Sequence, residues 1–201
     1  MRPLSLPWEP LRVRVAVRPW GLAALAAAVV GVALTADATV QSLQSSPSVP
    51  RARMAVLLSC LVASLAVAWM RPLLPLYEQM SGRPDLPHRF LMAVAVVGPA
   101  LALIGVLAGG TRPVVTCAGF LGLALLAGSA RPLLGITVPW VYAVAGLAFG
   151  YRTVAGGPAH LRPWAWMVGE GSTAPQVALC VAGIAAFALV GFRSAEGAAL
   201  S

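Results

Sequence analysis

The sequence predicts an all-α, polytopic integral membrane protein: six transmembrane helices preceded by an N-terminal interfacial elbow helix. Three observations carry that expectation. The mean hydropathy of +0.85 is too high for a soluble domain, whose surface must be covered by polar groups. Only 10% of the residues are charged, so long stretches carry no charge at all. The apolar residues also gather into runs near the length, about 20 residues, that crosses roughly 30 Å of hydrocarbon. These runs lie at about 20–40, 54–70, 90–109, 114–130, 133–150 and 176–192. They are too long for transmembrane strands and do not alternate, which leaves helices as the way to satisfy the backbone in lipid. Residues 1–201 then form a single transmembrane domain with no room for a separate soluble one.

Taken in order, the chain opens with "PWEPLRVRVAVRP", residues 7–19, in which Leu11, Val13, Val15 and Val17 alternate with arginines. Beside a membrane, with Trp8 and Trp20 as headgroup anchors, this reads as an interfacial segment over 1–19. The first apolar run mimics a secretory signal, with Ala36-Asp37-Ala38 shaped like a cleavage site. The long basic region before it favours an uncleaved first span. Asp37 is the one acid in any of the runs and has two readings: the place where the span leaves the membrane, or a contact for a proton or substrate. Pro99 and Pro139 fall inside spans, where each removes a backbone hydrogen bond and permits a kink. Gly105 with Gly109, and Gly146 with Gly150, place small residues four apart, which suits close helix packing. Only "SARP" separates the fourth run from the fifth. Between the fifth and sixth, over 151–175, "YRTVAGGPAHLRPWAWMVGEGSTAP" is too apolar for a free loop. Trp164, Trp166 and Met167 suggest a piece that dips back into the membrane interface. Asp37, Trp164 and Trp166 are therefore candidate pathway or gate residues.

The connection over 71–89 stands apart. "YEQMSGRPDLPHRF" gathers Glu78, Asp85, Arg83, His88 and Arg89 in a chain that otherwise avoids charge. An arginine at mid-bilayer costs roughly 2.5–3.5 kcal/mol, so this cluster belongs in water. Nineteen residues from Arg71 to Arg89 are more than a bare connection needs. "LLPLYEQMSG" can form a short helix, stopped at Gly82-Arg83-Pro84. The segment is either a solvated loop that holds topology or a docking element for a cytoplasmic partner. Orientation follows the arginines. With the N-terminus inside, Arg2, Arg12, Arg14, Arg18, Arg71, Arg83, Arg89, Arg131 and Arg193 lie on the cytoplasmic side. Arg51, Arg53, Arg112, Arg152 and Arg162 lie outside. Both termini are expected in the cytoplasm of a cell-membrane protein.

Several functions are excluded or disfavoured. All fourteen basic residues are arginine, as in a GC-rich coding sequence, and they flank spans, where lipid headgroups explain them better than nucleic acid does. Cys60, Cys117 and Cys180 lie singly in three spans, without metal-ligand or disulfide spacing. There is no Gly-x-x-x-x-Gly-Lys phosphate loop, no His-Glu-x-x-His and no Gly-x-Ser-x-Gly. His160 and Glu170, ten apart and without a third polar partner, make a weak catalytic pair. The chain reads as a passive pathway or scaffold with no catalytic site and no cofactor of its own.

In layout the chain resembles the membrane subunit of type-2 ATP-binding-cassette exporters, of the compact kind found in high-GC Gram-positive bacteria. "PWEPLRVRVAVRP" falls where such permeases carry an elbow, "LLPLYEQMSGRPDLPHR" where they carry a cytoplasmic coupling helix. "YRTVAGGPAHLRPWAWMVGEG" falls where they carry a re-entrant extracellular hairpin. The similarity spans the whole chain but rests on layout; no short motif is diagnostic. It implies that Tyr77, Glu78, Arg83 and Asp85 give polar contacts, and Leu76 and Met80 apolar ones, to a separate cytoplasmic ATPase that binds ATP and Mg. It further implies a second permease chain, the same or related, and an amphipathic cargo such as a peptide, antibiotic or lipid. The alternative is a non-transporting scaffold, immunity or regulatory protein that docks a cytoplasmic partner through the same loop.

Overall fold

A computed structural model describes residues 19–40, 52–70, 86–152, 160–167 and 173–190. Most of the expected elbow over 1–19 lies outside these residues. So do all six expected docking residues: Leu76, Tyr77, Glu78, Met80, Arg83 and Asp85. Among the described residues the chain is all-helical apart from two short strand pairs and one 3-10 turn. The helices are α1 (Pro19–Leu34), α2 (Met54–Met70), α3 (Leu86–Ala108), α4 (Thr111–Ala130), α5 (Pro132–Phe149) and α6 (Ala174–Val190). Strands β1 (Thr39–Val40) and β2 (Ala52–Arg53) pair antiparallel between α1 and α2. Strands β3 (Tyr151–Arg152) and β4 (His160–Leu161) do so after α5.

The helix boundaries follow local chemistry. α1 stops six residues before the end of its apolar run. The Thr35 hydroxyl donates back to the Gly31 carbonyl, and the chain turns over 35–37 into β1. α3 starts at Leu86, so its first turn claims residues 86–89 of the expected connection. Pro87 is tolerated there because the first helical amides have no intrahelical partner anyway. Gly109, with φ +62, closes α3 in the left-handed conformation that glycine adopts without steric cost. The break at "SARP" is real. Pro132 disfavours helical backbone at the residue before it, and Arg131 is extended at φ −148, ψ 131. Its amide still closes α4 on Ala127, while its carbonyl accepts from Leu134 to open α5.

Beside α2, eleven of whose 17 residues are buried, α4 lies in the interior of the bundle: 61% of its span is buried, against 28% for α3 and for α5. It packs most extensively on α6, and also on α2, α5 and α3. From one helix to the next the others pack in the order α5, α2, α1, α3, α6. The ring is open between α5 and α6, which scarcely meet. At the α4–α6 crossing two backbones touch. A Cβ added to Gly122 would lie 2.5 Å from the Cys180 nitrogen and Cα, and one added to Gly183 would lie 2.7 Å from Gly122 Cα. Close backbone approach of this kind maximises dispersion contact, the main source of association between helices that are apolar all round. Gly135 likewise sets α5 against α4, where an added Cβ would meet Ala124 O at 2.7 Å.

The core holds Val62, Val67, Phe120, Leu121, Leu125 and Phe187. The outer surface is just as apolar. Val106 is 80% exposed, Val141 67%, Val181 62% and Leu189 67%, far beyond the isolated apolar residues of a soluble surface. Three helices, α3 from Arg89, α4 and α5, are long and apolar enough to cross a membrane; α1, α2 and α6 are apolar but shorter.

Candidate functional site

The opening between α5 and α6 is filled by residues 160–167. Arg162, extended before Pro163, donates its amide to the Gly150 carbonyl at 2.7 Å, which pins β4 to the end of α5. β4 is already held by its pairing with β3, Tyr151 opposite Leu161 and Arg152 opposite His160. Pro163 then starts the 3-10 turn Pro163–Ala165, and the chain heads down into the bundle.

Tyr142 of α5 receives it. The Tyr142 hydroxyl donates to the Trp164 carbonyl and accepts from the Met167 amide at 3.4 Å. Its ring makes edge contacts with Phe120, Trp164 and Trp166, at centroid separations of 6.1, 6.3 and 6.4 Å. From α6 the buried Gln176 side chain donates to the Trp166 carbonyl at 3.1 Å. Ala165 and Met167 are buried. Gly150 leaves space for Ala165, and Gly119 of α4 leaves space for Met167, whose sulfur would sit 3.0 Å from a Cβ there. Tyr142 lies seven residues before Phe149, so the segment reaches about 10 Å below the helix end. It is a short wedge held by polar groups from two helices.

Above the wedge, Arg152, His160, Leu161, Arg162, Pro163 and Trp164 line an open depression of about 380 Å³. Both arginines and the histidine are exposed. A second polar cluster joins α2 to α5. Ser64 donates to the Ile136 carbonyl at 3.2 Å and accepts from Trp140 Nε1 at 3.0 Å; Cys60 Sγ lies 3.6 Å from the Pro139 carbonyl. These bonds cluster where Pro139 interrupts the ladder of α5.

The structure thus brings Trp164 and Trp166 together around one tyrosine. It keeps Asp37 apart: this acid is exposed in the turn after α1, and α1 packs on α2 and α3, away from the wedge. His160 lies at the rim of the depression, while Glu170 is outside the described residues. Tyr142, Gln176 and Ser64 escaped the sequence reading. The available signal was polarity inside apolar runs, since a buried hydroxyl or amide must find a partner. Among the described residues no group of three His, Cys, Asp or Glu side chains is placed to hold a metal. No protein-family model, no curated protein and no solved structure matches the chain.

Proposed function

We propose that this chain is the membrane subunit of an ATP-driven exporter of the type-2 ATP-binding-cassette kind. In this reading all six helices cross the cell membrane, with both termini in the cytoplasm. α1, α2 and α6 have 16, 17 and 17 residues. At 1.5 Å per residue they reach about 24–26 Å, a mismatch that local bilayer thinning and the flanking residues absorb.

The single observation that carries the proposal is the wedge at 160–167. It is an element between the fifth and sixth helices that re-enters the bundle from one end, where the resemblance leads one to expect such an element. The position of α4 supports the rest. Because α2 and α4 pack against each other in the interior, the described helices leave no room for a passage within one chain. A transport pathway then lies between two chains, and the wedge, beside α5 and α6, is placed to gate its outer end. The described spans contain no chain of ionisable groups that could couple transport to protons. Energy would come from a separate ATPase that binds ATP and Mg and docks on Leu76, Tyr77, Glu78, Met80, Arg83 and Asp85. Its closure would rock the two chains between inward and outward states, moving an amphipathic peptide, antibiotic or lipid.

Purification in gentle detergent from the native host tests this. The proposal expects a stoichiometric soluble ATPase to co-purify, and to be lost when Tyr77, Glu78 and Met80 are replaced by Ala. A chain that purifies without any ATPase, yet holds another cytoplasmic protein through the same residues, supports the scaffold reading instead.

A further inference from the structure

We propose that the depression formed by Arg152, His160, Arg162 and Trp164 is a binding site for the phosphate group of an anionic phospholipid. The inference needs the helices to be membrane spans but not that the chain transports anything. Arg152 and Arg162 bring two permanent positive charges to one open recess of about 380 Å³, and both are exposed. The recess is built rather than incidental. Pairing of Arg152 with His160 and the bond from the Arg162 amide to Gly150 fix the backbone that carries all three cationic or titratable groups. Guanidinium groups suit phosphate because their planar N–H donors match its oxygens two at a time. Asp37, the one acid among the described residues, follows α1, which packs on α2 and α3.

The surroundings select a lipid as the source of the phosphate. The recess sits directly beyond Phe149, the last residue of α5, which is 64% exposed. There the apolar outer surface ends and headgroups begin. Leu161 and the 39%-exposed Trp164 form an apolar wall beside the charges, suited to a glycerol and upper acyl chain. Every phospholipid carries a phosphate at that level, and two arginines favour one of net negative charge, whose phosphate is not already paired with a choline or amine cation of its own headgroup.

Native mass spectrometry of the full chain in neutral detergent gives the test, with phosphatidylglycerol, phosphatidylcholine and inorganic phosphate as probes. One phosphatidylglycerol per chain is expected to be retained above the background set by phosphatidylcholine. Replacing either arginine by Gln should weaken retention about fivefold, and replacing both about 25-fold. Arg89→Gln, at the other end of the bundle, should leave retention unchanged. Equal retention of phosphatidylglycerol by wild type and by the double variant would overturn the site. Binding of inorganic phosphate that displaces phosphatidylglycerol at millimolar concentration would overturn the lipid as its occupant. An unchanged circular-dichroism spectrum and elution volume separate lost binding from lost folding.

Discussion

Replacing Gly122 by Ala puts one methyl group into the crossing of α4 and α6, where two backbones touch. The added Cβ would lie 2.5 Å from the nitrogen and Cα of Cys180, whereas ordinary contact begins at 3.4 Å. Backbone atoms cannot rotate away, so α6 must move off α4 by about 0.9 Å, in an interior with few voids to absorb the shift. Overpacking of this kind costs about 1–3 kcal/mol. Intrinsic helix propensity acts the other way, favouring Ala over Gly by about 1 kcal/mol. Gly98 of α3 isolates that opposing effect, because a Cβ there meets nothing within 4 Å. Denaturant titration in mixed micelles should therefore show Gly98→Ala neutral or stabilised and Gly122→Ala less stable than it by about 1–3 kcal/mol. Gly183→Ala strains the same crossing, so the double variant should cost less than the sum of the two singles. If Gly122→Ala proved as stable as Gly98→Ala, the close approach of α4 and α6 would be wrong.

Three other outcomes are expected. Tyr142→Phe keeps the aromatic contacts but strands the Met167 amide and the Trp164 carbonyl. It should destabilise by about 1–3 kcal/mol and raise amide exchange at 164–167 above that of the helices. Ser64→Ala removes the acceptor for Trp140 Nε1 and the donor to Ile136, and should cost about 0.6–1.7 kcal/mol in the same titration. Cys60, Cys117 and Cys180 are all buried. They should resist maleimide in the folded protein and react fully in SDS, so that rapid labelling of any of them in the native state would show its helix to be misplaced.

Much of the fold was legible because hydropathy marks helices that are apolar on every side. The run over 54–70 coincides with α2, and the thin separator "SARP" is explained by a proline acting on the residue before it. Helix ends were less legible. Hydropathy reports where charge begins, whereas a helix continues until its hydrogen bonds run out. α3 therefore carries Arg89 inside its first turn, and α1 ends at Leu34, well before the apolar run does. The decisive glycines were also hidden. Gly105 and Gly109 fit a small-residue spacing, yet a Cβ on Gly105 would make only ordinary contact with Val114, and Gly109 shapes a turn. Gly122 and Gly183 act across two helices, and no pattern along either one reveals the pairing. In the candidate site, the tryptophans suggested a segment that dips into the membrane interface, whereas its packing into the bundle beside α5 and α6 was not read from them. The tyrosine that holds it is one of a few polar side chains in α5, and its role emerges only when Trp164 and Met167 are brought to it.

The proposed topology puts the charged segment near Tyr77 and the wedge near His160 on opposite sides of a membrane. Single cysteines at these two positions, labelled in intact cells with a membrane-impermeant maleimide, test it most directly, since the native cysteines are buried. His160→Cys should be labelled from outside, and Tyr77→Cys only after the membrane is opened. Labelling of both from the same side would contradict it.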